Sequence, residues 1–219
     1  MAKVLVTGHI NGIGKYIHNE CIRSGHIVSG VDIKDVTPWD LTKSADRQWL
    51  VEKYKDYDVF VNCAYVLDLT ASVSSQNELL KLFLDAWAGT SNYIVSAGSI
   101  AGLKNPQKDL NLKKYSLDKK RHTAIIDAWK KTKPNGPNVC NFNFGFYNDP
   151  TKTTDSELLG GGDISGYIST LDKANVQDFG DYMVNLINDR ETIWIEEVYM
   201  DYPQQDTNQL KFFEEFGIV

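Results

Sequence analysis

The sequence predicts an α/β domain, a doubly wound parallel sheet with helices on both faces, and three observations predict it. Short apolar runs alternate with stretches of helical periodicity along the whole chain. The runs are continuous rather than alternating, as strands buried on both faces read. The 219 residues suffice to bury a substantial core, and no repeat or low-complexity linker divides them, so residues 1–219 are expected to form one domain.

The elements follow in order. Val4-Leu5-Val6 is the first strand, and the glycines after it turn the chain into a helix over 14–24. The run 26–31 is the second strand, closed by Asp32, and a helix follows over 44–55. Strand 58–61, helix 77–87 and strand 93–96 come next. Over 115–131 the spacing of Ala124, Ile125 and Trp129 marks the apolar face of a long helix. The breaker 131–137 leads into strand 139–142, and helix 176–188 precedes a last strand at 192–195. Between them the segment 146–166, with Gly160-Gly161-Gly162, reads as a lid that orders over substrate.

Charge and cysteine usage exclude several classes. With 23 basic and 29 acidic residues the net charge is −6, and no long basic stretch offers a footprint for nucleic acid. Lys113, Lys114, Lys119, Lys120 and Arg121 read as a solvated helix face. Cys21, Cys63 and Cys140 are widely spaced and odd in number, which points to reduced thiols and no metal site. The chain enters its first strand without a signal-like segment and has no apolar stretch of membrane-spanning length, so a cytoplasmic protein without a membrane partner is expected.

Two motifs carry the chemistry. Gly8-His9-Ile10-Asn11-Gly12-Ile13-Gly14 lies between a strand and a helix, the arrangement that brings a pyrophosphate against backbone N–H groups at a helix N-terminus. Thr7, Gly8, Asn11, Gly12, Ile13 and Gly14 are therefore candidate cofactor-binding residues. Asp32 can accept hydrogen bonds from the adenosine ribose hydroxyls and repel the 2′-phosphate of NADP, so NAD is favoured. Lys34 offsets part of that repulsion and leaves NADP open. Further on, Tyr115 and Lys119 are four apart, on one face of a helix and one turn from each other. A phenol is a poor base at neutral pH, and a nearby ammonium favours its ionised form.

Over residues 3–200 these features resemble the short-chain dehydrogenase/reductase family. Thr7-Gly8, Gly12 and Gly14 match its compact TGxxxGxG form, and Tyr115 with Lys119 matches its YxxxK pair. Asp40-Leu41 is similar to the acidic-aliphatic pair that follows the family's third strand and contacts adenine. Asn62-Cys63-Ala64-Tyr65 stands in the place of its NNAG motif, keeping Asn62 and Ala64 while losing the second Asn and the Gly. The resemblance implies a Rossmann-like NAD(P)-binding fold and hydride transfer between nicotinamide and a carbonyl or alcohol. It implies that Tyr115 is the general acid/base, that Lys119 also binds the nicotinamide ribose, and that Ser99, 16 residues before Tyr115, holds the substrate oxygen. Asn77 is the candidate for the family's fourth catalytic residue, which anchors a relay water, and it reads equally as a helix N-cap. Phe144-Gly145 stands for the Pro-Gly wall of the nicotinamide, with Thr151 or Thr153 placed to reach the carboxamide and the proline lost. A homodimer or homotetramer built through the helices 77–87 and 115–131 is implied as well.

Two other readings fit parts of the sequence. A hydrolase built on Ala97-Gly98-Ser99-Ile100-Ala101 needs a His late in the chain, and the last after Ser99 is His122. A dinucleotide-binding sensor or interaction protein with weak catalysis fits the altered Asn62–Tyr65 and Phe144-Gly145 motifs. Ser99, Tyr115 and Lys119 together argue against it.

Overall fold

The computed structural model describes residues 1–99, 102, 110–132, 135–144, 147–148, 174–190 and 197–200. Within them the first half of the chain runs β1 (Lys3–Thr7), α1 (Gly12–Arg23), β2 (Ile27–Val31), α2 (Ser44–Tyr54), β3 (Val59–Asn62), α3 (Ser75–Ala86) and β4 (Tyr93–Ala97). The second half adds α4 (Leu110–Thr132), β5 (Asn138–Phe144), β6 (Tyr147–Asn148), β7 (Ala174–Asn175), α5 (Val176–Asp189) and β8 (Glu197–Met200). Six strands form one sheet in the order β2-β1-β3-β4-β5-β8, every pair parallel, and β6 pairs with β7.

Successive side chains of a strand point to opposite faces, and here both faces are apolar. Val4, Val6, Val59, Val61 and Val95 pack against Ile13 and Ile17 of α1 and Met183 and Ile187 of α5. Leu5, Phe60 and Ile94 pack on the other side against Leu50 of α2, Leu79, Leu80 and Phe83 of α3, and Ile126 of α4. Phe83 stacks on Phe60 with ring centroids 4.0 Å apart and meets Trp87 edge-on at 5.1 Å. Each such side chain contributes about 1.5–3 kcal/mol by leaving water. This is the doubly wound parallel sheet that the alternation of strands and helices predicts.

The strand order positions the site. From β1 the chain moves outward to β2 and then returns to the other side of β1 for β3. The connections therefore diverge at the carboxyl ends of β1 and β3, and a crevice opens there. Thr7, Asn62 and Ala97 end three adjacent strands on this edge.

Several expectations need correction. The sixth strand is Glu197–Met200, and 192–195 lie outside the described residues. No strand separates β2 from α2, so Asp40-Leu41 lies in the loop after β2, Asn62 ends the third strand, and Ser99 follows the fourth. On α4 the buried residues are Leu112, Ser116, Asp118, Lys119, His122, Ile126 and Trp129, while Ala124 is exposed. Of the three apolar residues read from the sequence, Trp129 is buried and Ile125 packs against the same core while Ala124 faces out; the buried face also carries four polar residues, which an apolar count does not find. The lid 146–166 lies outside the described residues except for Tyr147-Asn148, as do Gly145, Thr151 and Thr153. Cys21, Cys63 and Cys140 are free thiols, and no described helix is long and apolar enough to cross a membrane.

Candidate active site

The glycine loop is built by backbone demands. Gly8 and Gly12 take φ of +75° and +58°, a region in which a side chain is strained. Gly8 N–H donates to Val31 O at 2.8 Å, tying the loop to the end of β2. A Cβ on Gly14 would stand 2.3 Å from Gly8 O and 2.9 Å from Gly8 C, so α1 packs directly on the turn that precedes it. Gly14→Ala is expected to destabilise the chain by about 1–3 kcal/mol, since backbone cannot yield as a side chain does; urea unfolding of the two proteins measures it, and equal midpoints would refute the packing argument.

The first turn of α1 suits an anion. The Asn11 side chain makes no capping bond to the helix, and the first turn carries no acidic residue. With its amide turned to satisfy both neighbours, its oxygen accepts from Lys34 Nζ at 3.0 Å and its nitrogen donates to Ile10 O at 3.3 Å. Asp32 accepts from Lys34 N–H at 2.9 Å and Ile10 N–H at 3.4 Å, so its carboxylate lies against the loop at the edge of the crevice. Uncapped N–H groups, left-handed glycines and a carboxylate one strand away fit the pyrophosphate and ribose of a dinucleotide.

Other candidates from the sequence act behind this surface. Thr7 is buried; its Oγ1 donates to Val61 O and accepts from Cys63 and Ala64 N–H at 3.1 and 3.2 Å. Asn62 is also buried and donates to Gln76 O at 3.2 Å and Ser96 Oγ at 3.1 Å. Leu41 packs into the core beside Leu50 and Tyr54. Asp40 is held by Thr42 Oγ1 at 2.5 Å, and that bond keeps its carboxyl below the usual carboxylate range.

The crevice connects the two motifs through the segment after β3. A Cβ on Gly8 would lie 3.1 Å from Ala64 N, so the glycine loop abuts Ala64. The next residue, Tyr65, sets its ring edge-on to Tyr115 with centroids 5.2 Å apart. Tyr115 hydrogen-bonds Ser99, which is 8% exposed in the turn after β4. Gly102 N–H closes that turn onto Ser99 O at 3.0 Å, and a Cβ there would lie 3.0 Å from the backbone of Lys119. Ser99 from the turn after β4 and Tyr115 and Lys119 from α4 meet at one place.

Lys119 is 3% exposed. Its Nζ donates to Gln76 Oε1 at 2.8 Å and Ala97 O at 2.7 Å, and it lies 5.0 and 5.4 Å from the ring centroids of Tyr65 and Tyr115. Burial pushes this ammonium down to about 7 despite the pull of Cys63 and Asp118. Burial also raises the Tyr115 phenol above its ordinary value, partly offset by the Ser99 bond. For both groups burial is the larger influence and favours the uncharged form.

A polar layer lies beneath. Asp118 is buried and takes Lys114 Nζ at 2.5 Å and Tyr65 Oη at 3.1 Å on the same oxygen, Oδ2. Asn77 is the third residue of α3, and the helix is capped by Ser74, so the N-cap alternative for Asn77 is set aside. Its amide donates to Asp118 O at 2.9 Å and its oxygen meets His122 Nδ1 at 2.7 Å. Burial and the nearby Lys119 hold His122 well below its ordinary value, as an uncharged ring. Sequence reasoning missed Tyr65, Gln76, Asp118 and His122. The available signal was a helix that carries Asp118, Lys119 and His122 among its apolar positions, a local rule broken at the candidate site.

No family model matches the sequence, and no curated protein matches it. Solved structures do match. A 3-alpha-hydroxysteroid dehydrogenase from Pseudomonas sp. B-0831, complexed with NADH, is 18% identical with TM-score 0.70, over 91% of this chain and 95% of its own. A short-chain dehydrogenase from Sphingobium yanoikuyae in complex with NADPH is 16% identical with TM-score 0.70, over 98% and 93%. A ribose-5-phosphate isomerase from Brucella melitensis 16M is 19% identical with TM-score 0.67, over 100% and 96%. At these identities the likeness is one of fold: the chain has the Rossmann-like α/β architecture found in short-chain dehydrogenases/reductases.

Proposed function

We propose that this chain is an NAD(P)-dependent oxidoreductase of the short-chain dehydrogenase/reductase kind, acting on a carbonyl or alcohol with Tyr115 as general acid/base. The observation that carries the reading is the convergence of Ser99, Tyr115 and Lys119 beside a glycine loop that suits a pyrophosphate. Dehydrogenases of the same fold, solved with NADH and with NADPH, support it.

Gly8, Asn11, Gly12, Ile13 and Gly14 would hold the pyrophosphate with Thr7 bracing the loop from beneath, Asp32 the adenosine ribose, Asp40 and Leu41 the adenine side, and Asn62 and Ala64 the wall between the two motifs. Gly145 belongs to the nicotinamide side in this reading. When bound, the nicotinamide ring supplies or accepts the hydride. Ser99 and Tyr115 present two hydroxyls to one substrate oxygen. With its phenol protonated at neutral pH, Tyr115 donates its proton to that oxygen during carbonyl reduction and takes it back during alcohol oxidation. Lys119 steadies the charge left on the phenol, and Asn77, by joining α3 to Asp118 and His122, fixes the helix that carries both. A cytoplasmic homodimer or homotetramer built through α3 and α4 completes the reading.

The experiment is NADH and NADPH oxidation against a panel of carbonyl compounds, with Tyr115→Phe as control. The catalytically weak sensor or interaction protein is the second reading, favoured by the covering of Lys119 by Tyr65. Dinucleotide binding without any Tyr115-dependent turnover would select it. Asp32 gives a separate expected outcome. Asp32→Ala should lose a charged hydrogen bond to the ribose, about 1.5–3 kcal/mol, and shift the NAD-to-NADP affinity ratio at least about tenfold toward NADP. Titration calorimetry with both dinucleotides measures it, and an unchanged ratio removes Asp32 from the site.

A further inference from the structure

We propose that Gln76 is the positioning residue that fixes the ammonium of Lys119, through an amide whose polarity is set by the sheet edge. The amide has only one orientation that satisfies its neighbours. Nε2 donates to Asn62 O at 3.0 Å and Ala97 O at 3.3 Å, two carbonyls that can only accept. Oε1 is thereby turned to Lys119 Nζ at 2.8 Å. Asn62 returns a bond from its Nδ2 to Gln76 O at 3.2 Å, which locks the start of α3 to the end of β3. Gln76 is 2% exposed, so no water competes for Oε1.

The other groups facing Lys119 do not provide this contact. From α4 they are Tyr115, Asp118 and His122, and from the segment after β3 they are Cys63 and Tyr65. Asp118 spends its Oδ2 on Lys114 and Tyr65. Cys63 is held protonated by burial, at about 12. Tyr65 and Tyr115 offer ring faces. Gln76 Oε1 and Ala97 O are the two oxygens that the Lys119 ammonium touches among the described residues, and only Gln76 can be changed by substitution. The inference rests on the reading that Lys119 works with Tyr115, and it deepens that reading.

The test is NMR titration of lysine ammonium groups in the full chain, with the Lys119 signal identified by its loss in Lys119→Met. Gln76→Met removes an acceptor from the charged form, so the Lys119 midpoint should fall below its starting value of about 7. Gln76→Glu puts an opposite charge in the same place and should raise it by about one pH unit or more, a tenfold change in the protonated-to-neutral ratio. If the enzyme turns over, the alkaline limb of its kcat profile should move with the midpoint. Should either variant fail to fold, the other decides. In the native chain a nuclear Overhauser contact between the Lys119 ammonium and the Gln76 side-chain amide is expected. Midpoints that stay together, or the absence of that contact while the ammonium signal is visible, would overturn the proposal. Absent turnover in the native chain would overturn only the reading beneath it, because the titration needs no catalysis.

Discussion

Tyr115→Phe is expected to lower kcat by about 10²–10⁴-fold, the usual weight of a positioned general acid, while dinucleotide affinity stays unchanged. The substitution removes one oxygen and keeps the ring, so the edge contact with Tyr65 and the ring beside Lys119 survive. What is lost is the hydroxyl bonded to Ser99. In barrier terms the loss is about 3–5 kcal/mol. Direction and pH sharpen the expectation. Because burial raises the Tyr115 pKa, the phenol is protonated across the neutral range and ready to give a proton. Carbonyl reduction should therefore proceed at neutral pH, and alcohol oxidation, which needs the phenolate, should accelerate as pH rises. Initial rates in both directions, followed through nicotinamide absorbance, measure this. A phenylalanine variant within a few-fold of the parent would remove Tyr115 from the chemistry.

The fold was open to sequence reading because its determinants are local. Continuous apolar runs such as Val59-Phe60-Val61 read as doubly buried strands, and the glycines after β1 and the Tyr115–Lys119 spacing are local patterns. The support beneath the site was less open because it depends on packing between distant elements. Gln76 stands just before the helix that the sequence predicts over 77–87 and reads as an ordinary residue until β3, β4 and α4 supply its partners. Tyr65 occupies a place where the resemblance implies glycine, and only the fold shows its ring against Tyr115 and Lys119. The incomplete face of α4 has the same cause. Apolar periodicity locates a helix face by hydrophobicity, and this helix buries Ser116, Asp118, Lys119 and His122 beside Leu112, Ile126 and Trp129.

Lys119→Met should abolish or severely reduce turnover and at the same time raise stability at pH 7 by about 2 kcal/mol, or about 4–8 °C in Tm for a chain of this size. In the unfolded chain the amine has its ordinary pKa of 10.5, and in the fold it falls to about 7. Between those values the unfolded state binds more protons than the folded one, so stability rises with pH across that window. Below about 7 both states are charged and the full cost of burying the ammonium is present. At about 1.4 kcal/mol per pH unit that cost has a ceiling of about 5 kcal/mol. Methionine fills similar space without charge, but it leaves Gln76 Oε1 unpaired and Ala97 O with only the Gln76 amide, a loss of about 3 kcal/mol that reduces the gain to about 2 kcal/mol. The variant's advantage should be constant below about pH 7, shrink by about 1.4 kcal/mol per pH unit above it, vanish about 1.5 units higher and reverse as pH approaches 10.5. Thermal unfolding across pH 6–10 measures it, and a gap that does not change with pH would show that burying the ammonium costs the fold nothing. A buried charge that weakens the protein where it must work has no structural reason to be there. Gain of stability with loss of turnover in one substitution is the mark of a residue kept for chemistry.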